Sequence, residues 1–98
     1  MKSELMAKVK IKLYATFRAK YGLKEIEIRC DGTINNLLKN AGKMLGKKFI
    51  GEIYDTKKEN FRDDRIITIN GRNIKDIKKT IILKDGDEIA IFPPIAGG

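Results

Sequence analysis

Leu83-Lys84-Asp85-Gly86-Asp87-Glu88-Ile89-Ala90-Ile91-Phe92-Pro93-Pro94 is the stretch that decides the fold. Asp85-Gly86-Asp87 is a tight-turn signature, because aspartate side chains bond nearby backbone amides and glycine accepts positive φ. In the segment Glu88–Phe92, Ile89 and Ile91 alternate with the small Ala90. A strand with apolar or small residues on both faces belongs at the centre of a sheet. Pro93 and Pro94 stop it, since proline lacks the ladder donor and fixes φ.

Working back along the chain, Arg65–Ile69 reads as a further strand, and Asn70-Gly71 behind it is a strong hairpin signal. Arg72–Thr80 is a connector with Ile74 and Ile77 dipping inward, followed by a short strand edge over Ile81–Leu83. At the other end of the chain, Lys8–Tyr14 alternates strictly. Val9, Ile11 and Leu13 take one face and Lys8, Lys10 and Lys12 the other, which is a strand with one wet side. Arg18–Leu23, around Gly22, is expected to be a turn. A second alternation then sets Ile26, Ile28 and Cys30 against Glu25, Glu27 and Arg29, making a hairpin with the first strand.

Between these outer parts, Ile34, Leu37, Leu38, Ala41, Met44 and Leu45 recur at helical spacing. Thr33 is the expected N-cap. Gly46 is expected to close the helix in the left-handed conformation, and Gly42 to let it pack closely on the sheet. Lys47–Arg62 is polar, with Phe49, Ile50, Ile53 and Tyr54 able to form a short helical turn. The order strand, strand, helix, strands is an α+β pattern. With the first and last strands side by side at the centre, it is the β-grasp, or ubiquitin-like, arrangement: one main helix across a mixed sheet of four or five strands. Residues 1–6 are expected to be a loose leader, 7–92 the domain and 93–98 a flexible tail.

Composition narrows the chemistry. Ninety-eight residues make one domain. No apolar run approaches the roughly 18 residues of a membrane span, and no signal-peptide apolar region opens the chain, so the expected setting is cytoplasmic with no membrane partner. With no histidine and a single cysteine, zinc sites and Ser–His–Asp or Cys–His nucleophiles are excluded or nearly so, and no internal disulfide can form. Cys30 falls on the apolar face of its strand and reads as a small buried hydrophobe. The net charge of +8 comes from 16 Lys and 5 Arg. Arginine is the residue that grips phosphate bidentately, and the aromatics form no stacking row. A solvated lysine surface is therefore favoured over a nucleic-acid site. Asp85 and Asp87 are explained by turn chemistry, and Asp63 and Asp64 as loop residues, so no metal site and no active site is expected within the domain.

What remains is the C-terminus, Ile95-Ala96-Gly97-Gly98. Six residues from Pro93 reach about 20 Å from the body at about 3.3 Å each. Lacking Cβ atoms, Gly97 and Gly98 can thread a channel too narrow for other residues. The run from Leu83 through Phe92-Pro93-Pro94 to Gly97-Gly98, with the Ile69-Asn70-Gly71-Arg72 hairpin and the strand–turn–strand opening from Lys8, resembles the MoaD/ThiS family of ubiquitin-like sulfur carriers. The similarity spans about Met6 to Gly98.

The resemblance implies a carrier with no active site of its own, of the kind that forms the small, sulfur-donating subunit of molybdopterin synthase in molybdenum or tungsten cofactor biosynthesis. An adenylating, ubiquitin-activating-type enzyme would use ATP on Gly98, and a sulfur donor would convert the adenylate to a thiocarboxylate. The carrier itself would bind no cofactor. Gly97 would supply clearance, Ile95 and Ala96 would line the partner's channel, and Phe92, Pro93 and Pro94 would form an apolar shoulder against the larger synthase subunit. The same tail would also suit a ubiquitin-like protein modifier, or a sulfur carrier for thiamine or tRNA thiolation. A basic β-grasp domain binding RNA is the reading outside the family.

Overall fold

The computed structural model describes residues 6–93. The elements run in chain order as β1 (Ala7–Leu13), α1 (Thr16–Tyr21), β2 (Glu25–Cys30), α2 (Ile34–Leu45), α3 (Lys47–Ile53), β3 (Tyr54–Asp55), β4 (Asn60–Phe61), β5 (Ile66–Ile69), β6 (Arg72–Asn73) and β7 (Glu88–Phe92), with a 3-10 turn at Ile74–Asp76 after β6. The main sheet has the order β2-β1-β7-β5-β6, and β3 and β4 form a separate two-stranded ribbon. β7 is central as expected: parallel to β1, with Ile11 opposite Ile89, and antiparallel to β5, with Ile67 opposite Ile91. The chain is an α+β ubiquitin-like domain with a mixed five-stranded sheet.

One face of the sheet makes the core. Val9, Ile11, Leu13, Ile28, Cys30, Ile67, Ile89 and Ile91 are buried there with Leu37, Leu38 and Ala41 of α2 and Phe49 and Ile53 of α3. The opposite face carries Lys10 and Lys12 of β1, which pair with Glu25 at 3.6 Å and Glu88 at 3.3 Å. Thr33 caps α2 as its sequence position demands, its hydroxyl accepting the Asn36 amide at 3.2 Å. Asn70 and Gly71 take the positive φ values, 52° and 85°, that a two-residue hairpin requires.

Several local expectations are corrected. Arg18–Leu23 is not a simple turn: Thr16–Tyr21 is a six-residue helix closed by Gly22 at φ 72°. It forms because Phe17, inside this polar stretch, is buried in the core. Gly46 ends α2 at φ 101° and ψ 155°, outside the left-handed helical region, because α3 starts at once on its far side. Gly42 does allow close packing, but against α3 and not against the sheet; a Cβ there would lie 2.5 Å from Ile50 Cδ1. The stretch from Lys47 supplies that helix and then the β3–β4 ribbon. Ile81–Leu83 is not a strand edge. It is an irregular strap pinned by the Leu83 amide on the Gly32 carbonyl at 2.8 Å, with Leu83 buried and Ile82 exposed.

The leader of residues 1–6 falls mostly, and the tail of residues 93–98 almost wholly, outside the described residues.

Candidate functional site

The tail leaves the domain from Phe92 and Pro93, both half-buried at the C-terminal end of β7. Their neighbours are fixed by register. Phe92 lies opposite Ile66 at the start of β5, and the Tyr14 amide, just past β1, donates to the Ile91 carbonyl at 3.2 Å. Residue parity puts Tyr14, Ala90, Phe92 and Ile66 on the open face, away from the core.

Tyr14 stacks on Phe92 with ring centroids 4.5 Å apart and planes 9° from parallel. Such a pair is worth about 0.5–1.5 kcal/mol beyond its burial. The Arg18 guanidinium, carried on α1, lies 5.6 Å from the Tyr14 ring centroid and donates through Nε to the Leu13 carbonyl at 3.3 Å. Among the described residues it makes no ion pair. Its remaining N–H donors are therefore presented beside the point where the tail departs. Ile66, 37% exposed, extends this surface along β5. The result is an apolar platform with one cation at its rim.

The turn that joins β1 to α1 is strained. Ala15 sits at φ 53° and ψ −126°, a region almost restricted to glycine. It carries Tyr14 into the stack on one side and starts the helix of Arg18 on the other. Beyond α1, Arg65 holds Asp64 at 3.1 Å and lies 5.8 Å from the Phe17 ring. Hydrogen bonding from Arg62, reinforced by the charges of Arg65 and Arg62 itself, holds the Asp64 carboxyl below the usual carboxylate range.

Phe92 and Pro93, named for the expected shoulder, lie together at the end of β7, with Tyr14 stacked on Phe92, Ile66 opposite it and Arg18 over Tyr14. Those three were missed. Tyr14 did carry a signal: it continues the solvent-facing parity of Lys8, Lys10 and Lys12, where an aromatic side chain calls for a partner. Pro94, Ile95, Ala96, Gly97 and Gly98 lie outside the described residues.

Other candidate groups are occupied. Asp85 Oδ1 accepts the Lys8 amide at 2.9 Å; Asp87 Oδ2 accepts the Lys84 amide at 2.8 Å and its Oδ1 the Asn70 side-chain amide at 3.0 Å. Cys30 is wholly buried, and burial pushes its thiol up, which makes thiolate scarce near neutral pH. No described helix is long and apolar enough to cross a membrane.

A small domain with one helix pair packed on a mixed sheet, its last strand central and an aromatic platform at that strand's C-terminal end, defines the ubiquitin-like β-grasp class. The chain belongs to the ThiS family, whose model matches residues 11–98. It is 41% identical over 64 residues to the molybdopterin synthase sulfur carrier subunit of Aedes aegypti. That match covers 63% of this chain and 65%, just under two thirds, of the mosquito protein. Among solved structures, a Pyrococcus furiosus protein assigned as molybdopterin converting factor, subunit 1, is 35% identical with a TM-score of 0.62, over 91% of this chain and 99% of that one. The small archaeal modifier protein 1 of Methanosarcina acetivorans is 28% identical with a TM-score of 0.73, over 95% and 98% of the two chains.

Proposed function

We propose that this chain is a sulfur carrier that donates sulfur from a thiocarboxylate on Gly98 in molybdopterin biosynthesis. The observation that carries the reading is the continuity of β7, the Phe92–Pro93 shoulder and the terminal Gly97-Gly98, in a chain that belongs to this family.

The chemistry follows from the tail. A carboxylate is a poor electrophile, so an adenylating enzyme must first activate it. One oxygen of Gly98 attacks the α-phosphorus of ATP and pyrophosphate leaves. Hydrosulfide supplied by the donor then displaces AMP at the Gly98 carbonyl carbon, leaving a thiocarboxylate. In the larger synthase subunit the thiocarboxylate sulfur bonds to a carbon of the pterin precursor in place of a leaving oxygen, and water then cleaves the acyl–sulfur bond and returns the Gly98 carboxylate. Gly97 lets the chain pass a narrow channel, Ile95 and Ala96 lie along its walls, and Tyr14, Arg18, Ile66, Phe92, Pro93 and Pro94 seat the partner at its mouth. ATP is held by the activating enzyme and not by the carrier. Cys30 takes no part, since its buried sulfur is out of reach of a donor.

A second reading draws on the likeness to the archaeal modifier. A lysine amine could displace AMP from the same adenylate and form an isopeptide. Intact-mass measurement after incubation with ATP, activating enzyme and sulfur donor separates the two. Sulfur loading raises the carrier's mass by one sulfur in place of one oxygen, whereas conjugation adds the carrier to a target protein. Deletion of Gly98 is expected to abolish either product while the domain stays folded. Loading of the truncated chain would overturn the proposal.

A further inference from the structure

The main sheet ends on one side at β2, and the hydrogen-bond phase identifies which of its backbone groups face outward. Leu13 donates its amide to the Lys24 carbonyl at 2.8 Å. Bonded and non-bonded pairs alternate along an antiparallel ladder. With Lys12 opposite Glu25, the bonded pairs are therefore Ile11–Ile26, Val9–Ile28 and Ala7–Cys30. The other side of β1 agrees. Lys10 donates to the Asp87 carbonyl at 2.9 Å and the Lys8 carbonyl accepts Gly86 at 2.9 Å, so these residues turn their backbone toward β7.

It follows that the N–H and C=O groups of Glu25, Glu27 and Arg29 point away from the sheet, where β2 has no neighbouring strand among the described residues. The outward direction is visible at Arg29, whose carbonyl accepts Asn40 Nδ2 at 2.7 Å and keeps a second lone pair. An exposed row of this kind is a template for another strand.

The side chains specify which strand. Read antiparallel to itself about Glu27, the sequence Glu25-Ile26-Glu27-Ile28-Arg29 sets Glu25 against Arg29 of a second copy at both ends, and Ile26 against Ile28. This register places all the outward backbone groups of Glu25, Glu27 and Arg29 in bonded pairs. A slip by two residues toward the N-terminus would instead face Glu25 with Glu27, like charge on like. At the axis the two Glu27 carboxylates meet, one like-charge pair set against two Glu25–Arg29 pairs; Lys10 lies opposite Glu27 on β1 but holds Glu25 at 3.6 Å. Glu25, Glu27 and Arg29 are all exposed.

We infer that β2 is a self-pairing edge, and that two copies join antiparallel along Glu25–Arg29 into one continuous sheet. β1 separates β2 from β7, so the shoulder at Phe92 stays uncovered. The two-fold axis reverses β7 between copies, so the two tails leave at opposite ends of the joint sheet. Three paired residues per copy make a small interface, and the association is weak and concentration-dependent.

Sedimentation of the full chain from about 10 μM to about 1 mM tests this, with amide exchange of Glu25, Glu27 and Arg29 followed over the same range. Dimer is expected at the upper end, with those three amides protected there and exposed at the lower end. Glu25→Arg or Arg29→Glu alone should weaken association about tenfold, since each turns two attractive pairs repulsive. The double variant, or an equimolar mixture of the two single variants, should restore it. Glu27→Pro removes an outward N–H without costing a bond to β1, and should abolish the dimer in a folded chain. A monomer throughout, protection at other amides, or a dimer indifferent to both reversals would overturn the inference. Sulfur loading of Gly98 is expected to be the same in all variants, so this result stands apart from the test of the carrier function.

Discussion

At the end where β7 begins, Asn70, Asp85 and Asp87 close on backbone amides and on each other; at the end where it stops, Tyr14, Arg18 and Phe92 close on one another and leave polar capacity over. Asp87 accepts two hydrogen bonds and Asn70 both donates to Asp87 and accepts the Glu88 amide at 2.9 Å. At that turn Asp87 and Asn70 spend their side chains on the chain itself, and Asp85 spends one of its two oxygens. The opposite end keeps half-buried aromatic rings, the exposed Ile66, spare guanidinium donors and the strained Ala15. Polar groups satisfied within the chain stabilise the fold; groups left over are free to bind a partner.

The largest expected effect breaks this contrast at the tail end. Phe92→Asp should weaken binding to the larger synthase subunit about a hundredfold, because it removes the stacked ring and buries a charge in the interface. The loss in thermal stability should be small by comparison. Calorimetric titration giving wild-type affinity would show that the platform is not the docking surface. The opposite substitution comes next in size. Asp87→Ala strips partners from the Lys84 amide and the Asn70 side chain, at a cost of about 2 kcal/mol. Denaturant unfolding should register that cost while Gly98 loads sulfur at the wild-type rate. A loading defect in a folded Asp87→Ala protein would mean that the turn takes part in recognition after all.

The same contrast explains what the sequence made legible. Period-two alternation placed β1, β2 and β7, and the Asn70-Gly71 turn needed no tertiary information because both residues tolerate its φ values. The α2 stripe and its Thr33 cap were equally local. What escaped was decided by contacts distant in sequence. α1 is too short to announce itself and exists because Phe17 reaches the core. Ile81–Leu83 reads as a strand, yet the Leu83 amide turns to the Gly32 carbonyl instead of to a neighbouring edge. Of the candidate site, Phe92 and Pro93 were legible only through the family resemblance of the run that ends β7. Tyr14 and Arg18 lie more than seventy residues from Phe92 and meet it only once β1 and β7 are parallel neighbours.

The smallest effect sharpens the comparison by removing the strain itself. Ala15 is exposed, so Ala15→Gly loses almost no packing. At φ 53° and ψ −126° the Cβ crowds the backbone, a strain of about 1–3 kcal/mol. Glycine relieves that strain but adds about 0.5–1 kcal/mol of conformational freedom to the unfolded chain. The net expectation is a gain of about 1 kcal/mol, raising the midpoint of thermal unfolding by about 4–8 °C in a domain of this size. The gain should come without closer packing of Tyr14 on Phe92, since the substitution touches neither ring. A scanning calorimeter decides the matter. A lower midpoint would mean that the turn is held by contacts of the Ala15 methyl, and that the tail end of β7 is as fully satisfied as the other.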